Sequence, residues 1–399
     1  MSDLKRYTTQ NVYEAACERI DFCLNDFDKV CLSFSGGKDS SVMLHLTGDR
    51  ARIAGKKFSV LFIDWEAQYK LTIQHVIDLK NEYADVIENF YWVCLPMMTV
   101  NAVSQIEPEW VAWQPGKEWV RQPPECAITD ESFFPFYKHA MTFEEFIEDF
   151  ADWFADGKQS CSMVGIRTDE SLNRFRAITK GNSFKGRKWI NYKHTTSFNA
   201  YPIYDWKTED IWRYYGKLGK RSNGLYDMMH KAGIPLSKMR ICEPYGNEQR
   251  KGLALYHIIE PETWGRLCAR VQGANSGALY SVETGNFLGN QRITKPDGHT
   301  WESFCKFLLD TMPQKTADHY RDKFAIYLKW HFDRSIDIPD EQDGDTGTKD
   351  VPSWRRLCKV LLKQDYWCKA LSFSVQKASN YENYKKLMQH RRREWGIWG

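Results

Sequence analysis

Apolar positions in the first two-thirds of the chain come as short, near-continuous runs separated by longer stretches with helical spacing. Lys29–Phe34, Phe58–Asp64, Phe90–Leu95 and Cys161–Ile166 read as strands, with Tyr201–Tyr204 as a weaker fifth. Val42, Leu44 and Leu46 carry the apolar positions of a helix after the first run, and Ile73, Val76, Ile77 and Leu79 those of a helix after the second. Strands apolar on both faces need cover on both faces, and strand–helix alternation supplies it. The predicted fold class is α/β, a doubly wound parallel sheet that binds ligands beyond the carboxyl ends of its strands.

The pattern also divides the chain. Residues 1–252 read as the α/β domain, interrupted at about 98–140 by an insertion containing Trp110, Trp113, Pro115, Trp119, Pro123 and Pro124. So long a connection inside a compact domain is commonly a functional cover, and its tryptophans predict an ordered one. An amphipathic helix follows over Phe143–Phe150. Residues 253–332 turn helical, with Phe304, Phe307 and Leu308 on one face and Phe324, Tyr327 and Leu328 on another. Residues 333–353, centred on Asp340–Asp345, read as an exposed acidic linker. Residues 354–399 read as a basic helical tail with eleven Lys/Arg against three Asp/Glu, a candidate contact for nucleic acid or an acidic partner, or a solvated basic face folded against the acidic 337–350 loop.

Composition narrows the class. Charged residues are 27% and hydrophobic ones 42%, an ordinary globular balance, and the net charge of +3 makes no case for a polyanion partner by itself. No apolar stretch approaches the length of a membrane span, and the first residues lack the apolar core of a secretory signal. The 11 cysteines form no Cys-x-x-Cys pair, which reads as reduced thiols in a cytoplasmic protein, with no iron–sulfur cluster expected. Cys31, Cys94, Cys161 and Cys305 lie in apolar runs and read as core filling.

The strongest chemical signal is Ser35-Gly36-Gly37-Lys38-Asp39-Ser40, a small-residue turn leading from the first strand directly into a helix. Gly36 and Gly37 allow positive φ and close approach to a phosphate. The free amides of the helix start form an anion seat, to which Ser35 and Ser40 add hydroxyls and Lys38 a charge. The spacing is not that of Walker A. Asp64 at the end of the second strand places a carboxylate beside this loop, suited to Mg²⁺, a ribose or an adenine amine, or to a helix N-cap, with Glu66 as a second candidate. The fourth strand exits into Gly165-Ile166-Arg167-Thr168-Asp169-Glu170-Ser171, with Arg174 and Arg176 following. The arginines read as an anion clamp, while Thr168, Glu170 and Ser171 suit a helix start. Cys242, Arg240 and Arg250 are candidates for the second substrate, with the basic run Lys238, Arg240, Arg250 and Lys251 closing over an anionic ligand and Cys242 either a reactive or a buried structural thiol.

These blocks, with Tyr201–Trp212 and Asn223-Gly224-Leu225-Tyr226-Asp227, resemble the phosphoadenosine phosphosulfate (PAPS) reductase-like branch of the PP-loop ATP pyrophosphatase superfamily. Asp64–Tyr69, the aromatic insertion and Ala254–Gly265 look closer still to the immunoglobulin-binding regulator A group. The resemblance implies an adenine nucleotide α-hydrolase-like fold with a helical C-terminal extension. It implies binding of ATP, or an adenylyl sulfate, and cleavage at the α-phosphate with Mg²⁺ held by Asp39 and Asp64. Catalysis then falls to Lys38, Asp39, Asp64 and Arg167, and nucleotide binding to Ser35, Gly36, Gly37, Lys38, Asp39, Ser40, Asp64, Arg167 and Arg174. The implied setting is bacterial gene regulation or genome defence, phage defence included, with a ParB/sulfiredoxin-like partner. Sulfonucleotide reductases carry a catalytic Cys in a Glu-Cys-Gly-(Ile/Leu)-His tail, and Arg391–Gly399 lacks one, which counts against thiol-based reduction. Three readings follow: an ATP-cleaving nucleotidyl-transfer enzyme, a sulfonucleotide enzyme, and a nucleotide-sensing DNA-associated module without turnover.

Overall fold

The computed structural model describes residues 9–104, 107–179, 183–193, 196–236, 239–241, 253–271, 273–274, 293–345, 351–363, 365, 368 and 370–371. They fall in two compact units, one of residues 1–99 and 109–271, the other of 100–108 and 272–399.

In the first unit the order is α1 (Val12–Asp26), β1 (Lys29–Phe34), α2 (Lys38–Ala54), β2 (Phe58–Ile63), α3 (Lys70–Glu82) and β3 (Ile87–Val93). Then come β4 (Met97–Val100) and β5 (Glu109–Ala112), α4 (Phe143–Ala155), β6 (Ser160–Val164) and α5 (Leu172–Thr179). The unit ends with β7 (Ser183–Phe184), β8 (Arg187–Tyr192), β9 (Ser197–Ala200), α6 (Thr208–Leu218), α7 (Leu225–Lys231), α8 (Leu253–Ile259) and α9 (Pro261–Arg270). Seven strands form one sheet in the order β3-β2-β1-β6-β9-β8-β7, and β4 pairs with β5 in a separate ribbon. Leu32 of β1 lies opposite Val60 on one side and Met163 on the other. The chain winds outward from β1 to β3 and then restarts at β6 on the opposite flank of β1, so sheet order reverses between β1 and β6.

The α/β class and the first four strands hold. The sheet is mostly parallel rather than wholly so, because β8 runs antiparallel to β9 and β7 to β8. Tyr201–Tyr204 is a correction: these residues form a turn, and the strand beside it is Ser197–Ala200. The apolar Tyr-Pro-Ile-Tyr run reflects burial of Tyr201 and Ile203 in the core, not extended pairing. Cys31, Cys94, Cys161 and Cys305 are buried, as their neighbours implied. No helix among the described residues is long and apolar enough to cross a membrane.

Helix α2 lies so deep that residues Ser40 to Gly48 are buried on every face. Its Gly48 permits contact with Tyr83, since a Cβ there would stand 2.1 Å from the ring. Two buried polar groups on α2 are matched to partners on other elements. Ser41 bonds His75 of α3 at 2.8 Å, and His45 bonds the Tyr83 hydroxyl at 2.8 Å and the Arg221 carbonyl at 2.9 Å. Burial, and secondly the nearby His45, lowers His75 to about 4, while burial above all lowers His45.

The second unit contains α10 (Trp301–Thr311), α11 (Gln314–Phe332) and α12 (Trp354–Leu362). Its core joins Trp301, Phe304, Phe324, Tyr327, Leu357 and Leu361. Phe307, read as part of the apolar face, is 49% exposed. The first compact unit runs on past the 252/253 boundary read from the sequence, to Val271, and takes in α8 and α9. The acidic segment is no free linker. Asp340 accepts from the Glu302 amide at the start of α10, and Glu341 accepts from Trp301 Nε1 and Arg355. Asp345 is buried and accepts from Ser353, Arg355 and the Gln342 amide. Burial alone would raise its carboxyl, but these donors outweigh that and hold it below the ordinary carboxylate value. Arg356, counted in the basic tail, is buried and donates to the carbonyls of Asp345 and Ala370. Most of that tail lies outside the described residues.

Helix α2 can be probed by substitution and by pH. A mid-helix Gly→Ala change ordinarily stabilises, but Gly48→Ala is expected to destabilise by about 1–3 kcal/mol through overpacking, read from urea midpoints. Gly216→Ala on α6, where a Cβ meets nothing within 4 Å, is the neutral or stabilising control. The pH dependence comes from His75. Unfolded histidine takes up a proton near 6.5, whereas His75 does so only near about 4. The stability gained by burying it neutral is complete above pH ~6.5 and declines as pH falls towards ~4. The parent should lose on the order of 2 kcal/mol between about pH 6.5 and about pH 5, and His75→Gln should flatten that part of the profile.

Candidate functional site

The loop after β1 is built for an anion. Gly36 sits at φ +71°, and a Cβ there would press within 2.9 Å of Thr72, so the position admits glycine alone without rearrangement. Gly37 departs from expectation: its φ is −78° in the extended N-cap of α2, and it contributes smallness rather than positive φ. Within the loop, the Ser35 amide donates to Ser40 Oγ at 3.2 Å and the Gly37 amide to Ser35 Oγ at 3.4 Å. The first intrahelical bond runs from Ser41 N to Gly37 O. The amides of Gly36, Asp39 and Ser40 have no hydrogen-bond partner among the described residues. Three orphan donors at a buried helix start form a seat that a phosphate oxygen satisfies.

Residues far along the chain hold this seat in shape. Asn223 is fully buried and donates to Gly36 O at 3.0 Å and Thr72 Oγ1 at 3.1 Å, while its own oxygen accepts from the Leu225 amide. The Tyr226 hydroxyl accepts from the Lys38 amide at 2.8 Å, and the Tyr215 hydroxyl donates to the Lys38 carbonyl at 2.7 Å. Burial raises the Tyr215 phenol well above its ordinary value and keeps that donor protonated. Asn223–Asp227 carried part of the family resemblance; here it buttresses the loop. Tyr215 escaped sequence reasoning, since an aromatic on an amphipathic helix signals core packing and nothing more.

Charge is arranged as a buried chain. Lys38 Nζ lies 2.9 Å from Asp39 Oδ2, and Arg167 Nε donates to Asp39 Oδ1 at 2.6 Å. Arg167, 2% exposed, also reaches Thr208 Oγ1 and Glu170 Oε1. Glu170 meets Arg174 with its other oxygen. The structure therefore brings Lys38, Asp39, Arg167 and Arg174 together across the β1/β6 reversal. Each nitrogen of the Arg167 guanidinium, read as an anion clamp, is engaged by protein, and Glu170, read as helix-start chemistry, is the carboxylate between the two arginines. At the same place Gly165 lets β6 approach the Asp39 backbone, a Cβ there standing 3.2 Å from it.

Asp64 and Glu66 follow a different logic. Asp64 is buried and accepts from Trp92 Nε1 at 2.8 Å, from the Glu66 amide at 3.0 Å and from Arg121. Glu66, at φ 63° and fully buried, accepts from the amides of Trp113 and Val120 and from Arg270 of α9. The pair pins the aromatic insertion onto the end of β2, with Arg121 stacked 5.1 Å over Trp113. Glu66 is thus a structural acceptor rather than a ligand residue. Asp39 and Asp64, proposed together for Mg²⁺, are each paired with different cations, and no group of three potential metal ligands occurs among the described residues. This arrangement does not fit a metal held by those two carboxylates. Arg240 is exposed, while Cys242 and Arg250 lie outside the described residues.

Residues 29–100, which span β1 to β4 and the loop, match the phosphoadenosine phosphosulfate reductase domain family. Residues 233–336 and 333–382 match a domain of unknown function (DUF3440). Among solved structures, the chain resembles Candida glabrata FMN adenylyltransferase in complex with FAD and inorganic pyrophosphate at 13% identity and a TM-score of 0.33, covering 56% of this chain and 64% of that one. It resembles the phosphate complex of PAPS reductase from Candida auris at 12% identity and a TM-score of 0.29, covering 56% and 93%. The PAPS reductase-like reading of the loop is borne out by the family match over residues 29–100. At 53% identity over 394 residues, 97% of this chain and 96% of the relative, the chain belongs to the same protein family as the uncharacterized protein YbdN of Escherichia coli (strain K12).

Proposed function

We propose that the chain binds ATP with its phosphates on the Ser35–Ser40 loop and cleaves it between the α- and β-phosphates to activate or modify a second substrate. The observation that carries this reading is the trio of orphan amides of Gly36, Asp39 and Ser40 at the start of α2, beside Lys38 and at the reversal of sheet order. The match of residues 29–100 to the reductase domain supports it. A nucleophile on the second substrate attacks the α-phosphorus, the α–β P–O bond breaks, pyrophosphate leaves and the nucleophile's proton passes to water. The loop amides and Lys38 hold the charge that develops on the departing pyrophosphate. Arg167 acts by positioning Asp39 and the loop, and Arg174, with its side chain 38% exposed, is the arginine able to reach the ligand.

The reductase-domain match also favours a sulfonucleotide as ligand, so adenylyl sulfate and PAPS belong in the same test. A cytoplasmic setting in bacterial gene regulation or genome defence, with a ParB/sulfiredoxin-like partner, is part of the proposal and is tested by co-purification with that partner.

ATP with Mg²⁺ should raise the melting temperature, and at a hundredfold excess over Kd the stabilisation is about 2.7 kcal/mol. Radiolabelled ATP should give AMP and pyrophosphate once the second substrate is supplied. Absence of a melting shift with ATP, adenylyl sulfate and PAPS at millimolar concentration would sink this reading. Two substitutions separate ligand binding from scaffolding. Lys38→Ala should weaken ATP binding about tenfold or more with little loss of stability, since Arg167 still neutralises Asp39. Arg167→Ala leaves Asp39 and Glu170 short of a buried partner and should cost about 3 kcal/mol of stability, read by urea unfolding without ligand.

A further inference from the structure

From Ser171 to Tyr204 the chain carries seven Lys/Arg (Arg174, Arg176, Lys180, Lys185, Arg187, Lys188, Lys193) and no Asp or Glu in 34 residues. In a chain whose acids and bases are almost balanced, this is a local charge excess that the whole-chain value of +3 conceals. The fold concentrates it. The stretch forms α5 and the β7–β8 hairpin, which close one edge of the sheet, and Asn191 of β8 donates to the carbonyls of Ala177 and Ile178 to hold α5 against the hairpin.

Part of the charge is internal. Arg174 meets Glu170, Lys185 meets Asp26 at 2.7 Å, and Lys193 donates to the Ile147 carbonyl. Arg187 stacks 3.7 Å over Phe22. Arg176 and Lys188 are exposed and form no ion pair among the described residues. Two large aromatics of the same stretch are not buried: Phe175 of α5 is 42% and Tyr192 of β8 50% exposed. Helix α5 begins two residues after Glu170, so the basic edge runs directly from the loop's ion-pair chain.

We propose that this edge docks single-stranded nucleic acid and presents it to the loop as the second substrate, a proposal that rests on reading the loop as the ATP site. Arg176, Lys188 and the Arg187 guanidinium follow the phosphates, while Phe175 and Tyr192 stack unpaired bases. Cations interleaved with exposed aromatics suit a strand whose bases are free, because a duplex hides their faces.

The test is fluorescence anisotropy of the full chain with labelled DNA and RNA single strands of about 20 nucleotides, longer than a typical site of ~4–16, and with the matching duplexes. At about 50 mM salt the parent should bind a single strand more tightly than the duplex, and affinity should fall steeply with salt. Arg176→Glu with Lys188→Glu should weaken binding at least tenfold. The same variant should flatten the log–log salt slope by roughly 0.7 for each phosphate it no longer neutralises. Phe175→Ala and Tyr192→Ala should each cost about fivefold or more. The charge variant should keep the parent's melting temperature; if it melts early, Arg176→Gln with Lys188→Gln replaces it. Absence of binding by the parent, equal binding by the charge variant or preference for duplex overturns the proposal and reduces the lysines to edge protection. Loss of the ATP shift in the parent, with oligonucleotide binding intact, overturns the ATP reading alone.

Discussion

Arg167 leaves the end of β6 and meets Asp39 in the first turn of α2, and both lie almost out of water. A charge so placed is stable only with its partner, so β6 and α2 must be held in one relation. That relation sets the loop's geometry. Gly165 allows the close approach, Gly36 takes the left-handed turn, and Asn223, Tyr215 and Tyr226 fix the loop from the far side through its backbone. The orphan amides sit among loop groups that are themselves paired, with Ser35, Ser40, Lys38 and Asp39 each holding a partner.

The same economy of buried polar groups explains the aromatic insertion. Its tryptophans bury large areas, but position comes from hydrogen bonds: Glu66 collects two backbone amides of the insertion and the Arg270 guanidinium, and Asp64 collects Trp92 and Arg121. Tyr256 of α8 stacks 3.8 Å on Tyr69 and donates to the Ala67 carbonyl. A single segment after β2, Asp64–Tyr69, therefore anchors the insertion and α8–α9, which accounts for a non-glycine residue at positive φ within it. In the second unit Asp340, Glu341 and Asp345 do the corresponding work for α10 and α12.

Sequence alone determined the elements whose cause is local. Lys29–Phe34 and Phe58–Asp64 were legible as strands because each is a continuous β-prone apolar run, and the loop was legible because its small residues, lysine and helix start adjoin in sequence. The same adjacency carried the resemblance to the reductase domain that residues 29–100 match. Residue pairing was decided by tertiary structure. Arg167 and Asp39 are 128 positions apart, Asn223 and Gly36 187, and Arg270 and Glu66 204, and no local pattern tells an arginine that waits for a phosphate from one already bound to a carboxylate. Tyr201–Tyr204 misled for a related reason: burial makes a turn apolar just as it makes a strand apolar, and only hydrogen-bond partners across the sheet distinguish them. The acidic 333–345 segment looked solvated because composition records charge but not what meets it; Asp345 is buried because Ser353, Arg355 and the Gln342 amide fold back onto it.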